Sequence, residues 1–141
     1  MYDASLIARY VIHQCVQNKR PISRLKLQKI LYFVQAEFLV SMNQPCFEDS
    51  IEAWSSGPVV PAMYFAYRMY GDTNLPDQGD DDFDTIAEKD KDRLNAIIND
   101  AAKYAASQLA EITRNQYPWK SAYKRKDRII KKAEIREYFE S

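Results

Sequence analysis

Apolar residues recur at helical spacing along most of the chain. The first such run follows Asp3, a residue type that caps helices, with Tyr2 and Ile7 placed as a hydrophobic staple. It continues to about Asn18 and ends in Lys19, Arg20 and Pro21, a cationic end followed by a breaker. Ser23 is placed to cap a second helix, with Ile22 and Leu27 as its staple pair. Leu27, Ile30, Leu31, Val34 and Phe38 form its apolar face, and Asn43 and Pro45 stop it.

The pattern changes at FEDSIEAW, residues 47–54. This run is the best strand in the chain, and it is short and polar enough to be only an edge or a hairpin arm. Ser56 to Pro61 must be extended, because residues before proline avoid the helical basin, and Pro61 suits a helix's first turn. A third helix carries Tyr64 and Tyr67 and ends at Tyr70, with Gly71 as a left-handed cap. After an acidic loop, Thr85 and Glu88 stand at capping-box spacing. They precede a long helix with Leu94, Ile97, Ile98, Ala101 and Ala105 on one face. A break near Ala106–Ser107 starts a further piece with Leu109 and Ile112. After Tyr117-Pro118-Trp119 come a short helix to about Lys124, an extended piece at Arg128–Ile130, and a last helix through Tyr138 and Phe139. The expected architecture is mainly α: a compact single domain over residues 1–141, of six or seven helices with two or three very short strands. No β-α-β alternation supports a doubly wound sheet.

Composition narrows the function classes. Of 141 residues, 46% are hydrophobic and 13% aromatic, which excludes a disordered chain and provides a real core. Lys plus Arg and Asp plus Glu number 20 each, so no whole-protein field draws the chain to nucleic acid or to an anionic membrane. No stretch is long enough to span a membrane, and the start lacks the features of a signal peptide. The expected location is therefore the cytoplasm. The zero net charge hides segregation, with a local charge of −6 from Asp77 to Asp92 and of +6 from Lys120 to Arg136. Either the two segments are solvated and face each other, or one of them docks a partner of opposite charge.

Little supports catalysis. His13 and Cys15 stand two apart on a helix and point to different faces, so they do not form a nucleophile pair; Cys46 is the only other thiol. The Asp80 to Asp84 cluster lacks calcium-loop spacing, and Gly57, Gly71 and Gly79 make no phosphate loop. No catalytic, cofactor-binding or metal-binding residue is expected. The segment YPWKSAYKRKDRIIKK mixes aromatics with bases, as nucleic-acid binding requires, but fits better a solvated helix with Trp119 and Tyr123 packed inward, so nucleic acid is not the expected partner. Arg24, Lys26 and Lys29 sit near a helix start, the wrong end of the dipole for simple stability, which makes them docking candidates.

Several runs together resemble the Panacea antitoxin-domain family, which includes SocA-like and phage-associated GepA-like proteins. They are Leu27-Gln28-Lys29 with Leu31-Tyr32 and Gln35-Ala36, Glu52-Ala53-Trp54, Gly57-Pro58-Val59, Tyr64, Tyr70-Gly71 and Pro118-Trp119. The resemblance spans roughly residues 4 to 139. It implies a cytoplasmic, non-catalytic antitoxin, commonly encoded beside its toxin and often in prophages, that neutralises the toxin by direct binding. Two alternatives stay open: an adaptor that hands a client to a ClpXP-type protease, and a nucleic-acid-binding regulator using the basic C-terminal segment. Many relatives carry a histidine shortly before Pro-Trp, where this chain has Thr113-Arg114-Asn115-Gln116.

Beside the resemblance, Trp54, Gly57, Pro58 and Gly71 read as fold-determining. Gly57 permits a backbone angle closed to other residues, and Pro58 fixes the next one. The candidate partner-binding residues are Gln28, Lys29, Tyr64, Tyr67, Arg68 and Trp119. Lys29 is open to two roles, a bridge to Glu52 or a contact to the partner.

Overall fold

The computed structural model describes residues 1–141 as one three-stranded sheet packed among seven α-helices. The helices are α1 (Ala4–Gln17), α2 (Arg24–Met42), α3 (Pro61–Tyr67), α4 (Glu88–Ala101), α5 (Ala106–Arg114), α6 (Tyr117–Tyr123) and α7 (Lys132–Glu140). The strands are β1 (Ile51–Trp54), β2 (Gly57–Val59) and β3 (Ile129–Ile130). No helix is long and apolar enough to cross a membrane.

Helix α2 is the hub, in contact with α1, α3, α4, α5, α7 and β2. Its start is fixed by Ser23, whose Oγ accepts from the Lys26 amide at 3.3 Å, and its end by Asn43 in the left-handed region. Leu27, Ile30, Leu31, Val34, Ala36 and Phe38 are buried, so the helix is covered on nearly every side. That enclosure also takes in Gln28, Lys29, Tyr32 and Gln35.

Strand β1 is the middle strand, not an edge: the order is β2-β1-β3, antiparallel throughout. Its β2 side is a hairpin through Ser55–Ser56, pairing Trp54 with Gly57, Ala53 with Pro58 and Glu52 with Val59. Pro58 has no N–H to donate, and β2 tolerates it because its outer edge is unpaired. On the other side β3 contributes only two residues, Ile129 and Ile130, too few to carry a strand pattern of their own.

Three expected local features differ. Asp3 stands at the α1 N-cap without a side-chain bond, and Tyr2 instead joins the chain near Cys46 and bonds the Asp90 carboxylate through its hydroxyl. The Thr85–Glu88 capping box does not form, because Thr85 turns back to the Asp82 carbonyl and α4 starts after Ala87. The break after α4 comes earlier than expected. The helix ends at Ala101, and the Gln108 side chain reaches back to the Ala105 amide at 2.7 Å to begin α5. The Tyr104 carbonyl freed in this turn accepts from Lys26 Nζ at 2.7 Å.

Residues 72–87 form a strap pinned to α1. Leu75, Phe83 and Ile86 are its buried anchors, and Phe83 packs edge-on against Tyr10 and His13 at 5.2 and 5.3 Å. His13 Nδ1 lies 3.0 Å from Asp77 Oδ1, and the Gly79 amide also donates to that carboxylate. These bonds hold the Asp77 carboxyl below its ordinary range, the Gly79 amide first and His13 second. No ion pair joins the acidic strap to the basic segment 120–136, so the two do not neutralise each other.

Candidate protein-interaction site

The polar residues of α2 act as pins on irregular backbone. Gln28 grips both hydrogen-bonding groups of Val60: its Nε2 donates to the Val60 carbonyl at 3.2 Å, and its Oε1 accepts from the Val60 amide at 2.7 Å. Gln35, two turns along, does the same for the loop before β1, donating to the Phe47 carbonyl at 2.9 Å and accepting from the Cys46 amide at 2.7 Å. Tyr32 donates to Gln116 Oε1 at 2.8 Å. Thr113, one turn before, is buried and returns its hydroxyl to the Leu109 and Ala110 carbonyls at 2.9 Å. The stretch before Pro118-Trp119 is therefore interior at Thr113 and Gln116.

Lys29 is fully buried and its Nζ donates to the Pro58 carbonyl at 3.0 Å. No carboxylate pairs with it; Glu52 instead accepts from Trp54 Nε1 at 2.9 Å. Burial first, and the Arg114 charge second, lower the Lys29 ammonium to about 7. Gly57, at φ +115°, lies against this side chain. Gly71, at φ +56°, ends the 3-10 turn Arg68–Tyr70 that extends α3.

The candidate partner residues lie at different depths. Gln28, Lys29 and Tyr67 are buried: Gln28 and Lys29 are bonded to main-chain groups of the interior, while the Tyr67 hydroxyl reaches the boundary and donates to Oε1 of the exposed Gln78 at 2.8 Å. Trp119 is half-buried, with Nε1 donating to the Trp54 carbonyl at 2.9 Å and its ring stacked on Tyr123. Arg68 is exposed and Tyr64 half-buried.

The surface around them includes two residues that sequence spacing missed. Phe65 is 57% exposed and Met69 75% exposed. Arg68 lies 5.4 Å over the Phe65 ring, Phe65 packs on Tyr64, and Arg24 lies 5.5 Å over Tyr64 from α2. Trp54 packs edge-on beneath Tyr64 at 5.0 Å. Beside this row is a cleft of about 220 Å³ whose walls include Arg24, Gln28, Ser56, Tyr64 and Asp72. Burial of Met63 and Tyr67, one turn apart on α3, turns Phe65 outward, and Met69 follows in the 3-10 turn. The ensemble is an aromatic and cationic ridge on a rigid base, a composition enriched at binding hot spots.

Residues 27–120 match the family model described as antitoxin SocA-like, Panacea domain. Antitoxin SocA of Caulobacter vibrioides (strain NA1000 / CB15N) is 38% identical over 69 residues, covering 49% of this chain and 37% of that protein. The shared region is thus well under half of the curated relative. No solved structure matches.

Proposed function

The chain belongs to the SocA-like antitoxin family with a Panacea domain, and from that premise we propose that it neutralises a toxin by direct binding, without catalysis. The toxin is a cytoplasmic protein encoded by an adjacent gene, and the surface that meets it is the ridge of Tyr64, Phe65, Arg68 and Met69. The observation that carries this reading is the exposure of Phe65 and Met69 on an element whose base is pinned through Val60 by Gln28. Large apolar side chains on a well-held helix lose little entropy on association, which is what an anchoring patch requires. An interface of the usual size, roughly 800 Å² per partner, extends beyond this ridge to its neighbours Arg24 and Trp54.

The test is co-expression of a tagged copy with each neighbouring gene product. Support is a neighbour that is toxic alone, harmless with this protein, and co-purified at fixed stoichiometry. The reading fails if no neighbour is toxic or retained, or if Phe65→Asp and Met69→Asp together leave neutralisation intact.

A further inference from the structure

Ion pairing absorbs only part of the basic charge in residues 120–136. Arg125 pairs with Asp127 and Glu134, and Arg136 with Glu140. Lys120, Lys124, Lys126, Arg128 and Lys131 are exposed and have no carboxylate partner.

These cations are arranged, not scattered. On α6, Trp119 and Tyr123 are one turn apart and stack at 4.4 Å with 16° between their planes. Lys120 and Lys124 form the adjacent ridge, also one turn apart. Arg128 extends the aromatic column, its guanidinium 4.2 Å over the Tyr123 ring. To do so it adopts φ +60°, uncommon for a residue with a side chain, while its carbonyl is tied to the Ala53 amide at 2.7 Å. Its guanidinium donates no hydrogen bond within the protein, so the donors of the fork held over Tyr123 remain free. A planar guanidinium fork matches a phosphate bidentately. Lysine is depleted at protein–protein interfaces, whereas lysines beside such a fork suit a phosphodiester backbone. Both faces of Tyr123 are taken, by Trp119 and Arg128, which leaves that ring no face for a base.

We infer that the α6–β3 surface binds nucleic acid through its phosphate backbone, without sequence preference, using residues separate from the Tyr64–Met69 ridge. The test uses the whole chain and fluorescein-labelled RNA of about 20 nucleotides, read by anisotropy, with a DNA duplex of equal length alongside. Saturable binding is expected at 50 mM salt. It should weaken about 50-fold by 200 mM on the single strand, the loss for about four neutralised phosphates. Arg128→Gly deletes the fork and suits the left-handed backbone; it and the triple change Lys120→Ala, Lys124→Ala, Lys126→Ala should each weaken binding at least about tenfold and flatten the salt slope. Arg20→Ala with Lys89→Ala, a charge control elsewhere, should not. The inference is overturned by absence of binding at 50 mM salt, by salt-insensitive binding, or by basic-segment variants that retain their melting temperature and bind like the parent. It is equally overturned by tighter capture on phosphatidylserine vesicles than on RNA. No toxin is present in this assay, so its failure leaves the proposed function standing.

Discussion

A Cβ added to Gly57 would lie 2.7 Å from Cε of Lys29 and 3.3 Å from its Nζ. The two residues, one on the hairpin and one on α2, occupy complementary space, and the glycine's φ of +115° is itself closed to other residues at low cost. Gly57→Ala should cost about 2–4 kcal/mol in urea unfolding, from backbone strain plus overlap. Shortening the lysine removes the closest overlap but neither the strain nor the 3.2 Å approach to Thr113 Oγ1. The double variant Gly57→Ala, Lys29→Ala should therefore be more stable than the sum of the single effects predicts, by at least about 0.5 kcal/mol. Strict additivity would show that contact with Lys29 is not what demands glycine.

Lys29 gives stability a pH dependence of definite sign. Its ammonium titrates at about 7 when folded and near 10.5 ordinarily, so across that window the unfolded chain holds more protons and stability rises with pH. The gain is lost as pH falls towards 7. Burial pushes the thiols of Cys15 and Cys46 the other way, to about 11 and about 12, and opposes the trend once unfolded thiols ionise near 9. The urea midpoint should climb from pH 7 to pH 9, and Lys29→Met should flatten that climb. A slope unchanged in the methionine variant would assign the effect elsewhere.

Gln35 satisfies the amides of Cys46 and Phe47 and the carbonyl of Phe47. Gln35→Leu keeps the volume and leaves buried backbone groups without partners, a loss of about 2–4 kcal/mol. Calorimetry should record a melting temperature lower by about 10 °C.

The proposed ridge and the interior beneath it should separate cleanly by mutation. Phe65→Asp or Met69→Asp should weaken toxin binding by at least about 30-fold, the loss of a hot-spot residue, and shift the melting temperature by less than about 2 °C. Met63→Ala should do the reverse, since it removes a buried side chain from the inner face of α3. Titration calorimetry of the complex and thermal melts of the free protein decide between them.

What the sequence revealed was whatever depends on neighbours along the chain. Ser23, Asn43 and Pro61 mark helix ends through their own chemistry, and each does so in the structure. Membership of the antitoxin family was legible too, from runs such as Leu27-Gln28-Lys29 and Pro118-Trp119 within the matched region. The place of β1 was not, because Ile129–Ile130 acquires strand character only by pairing with it. Lys29 and Gln28 are polar residues in a patterned apolar helix, and the pattern leaves Lys29 open between a bridge to Glu52 and a partner contact. Their true partners are main-chain groups about thirty residues away, at Pro58 and Val60, which no local pattern encodes. Phe65 was overlooked beside three tyrosines, since a helix of seven residues is too short for periodicity alone to choose its inner face.

The glutamine pins also decide where the protein is quiet in time. The amides of Cys46, Phe47 and Val60 belong to no helical ladder, yet each donates to a buried side chain of α2. Their exchange with deuterated solvent is coupled to the opening of α2 rather than to loop fluctuation, so they should exchange as slowly as amides at the centre of that helix. A map of protection would show isolated slow sites in segments that look irregular, and those sites are where the hub holds the rest of the molecule in place.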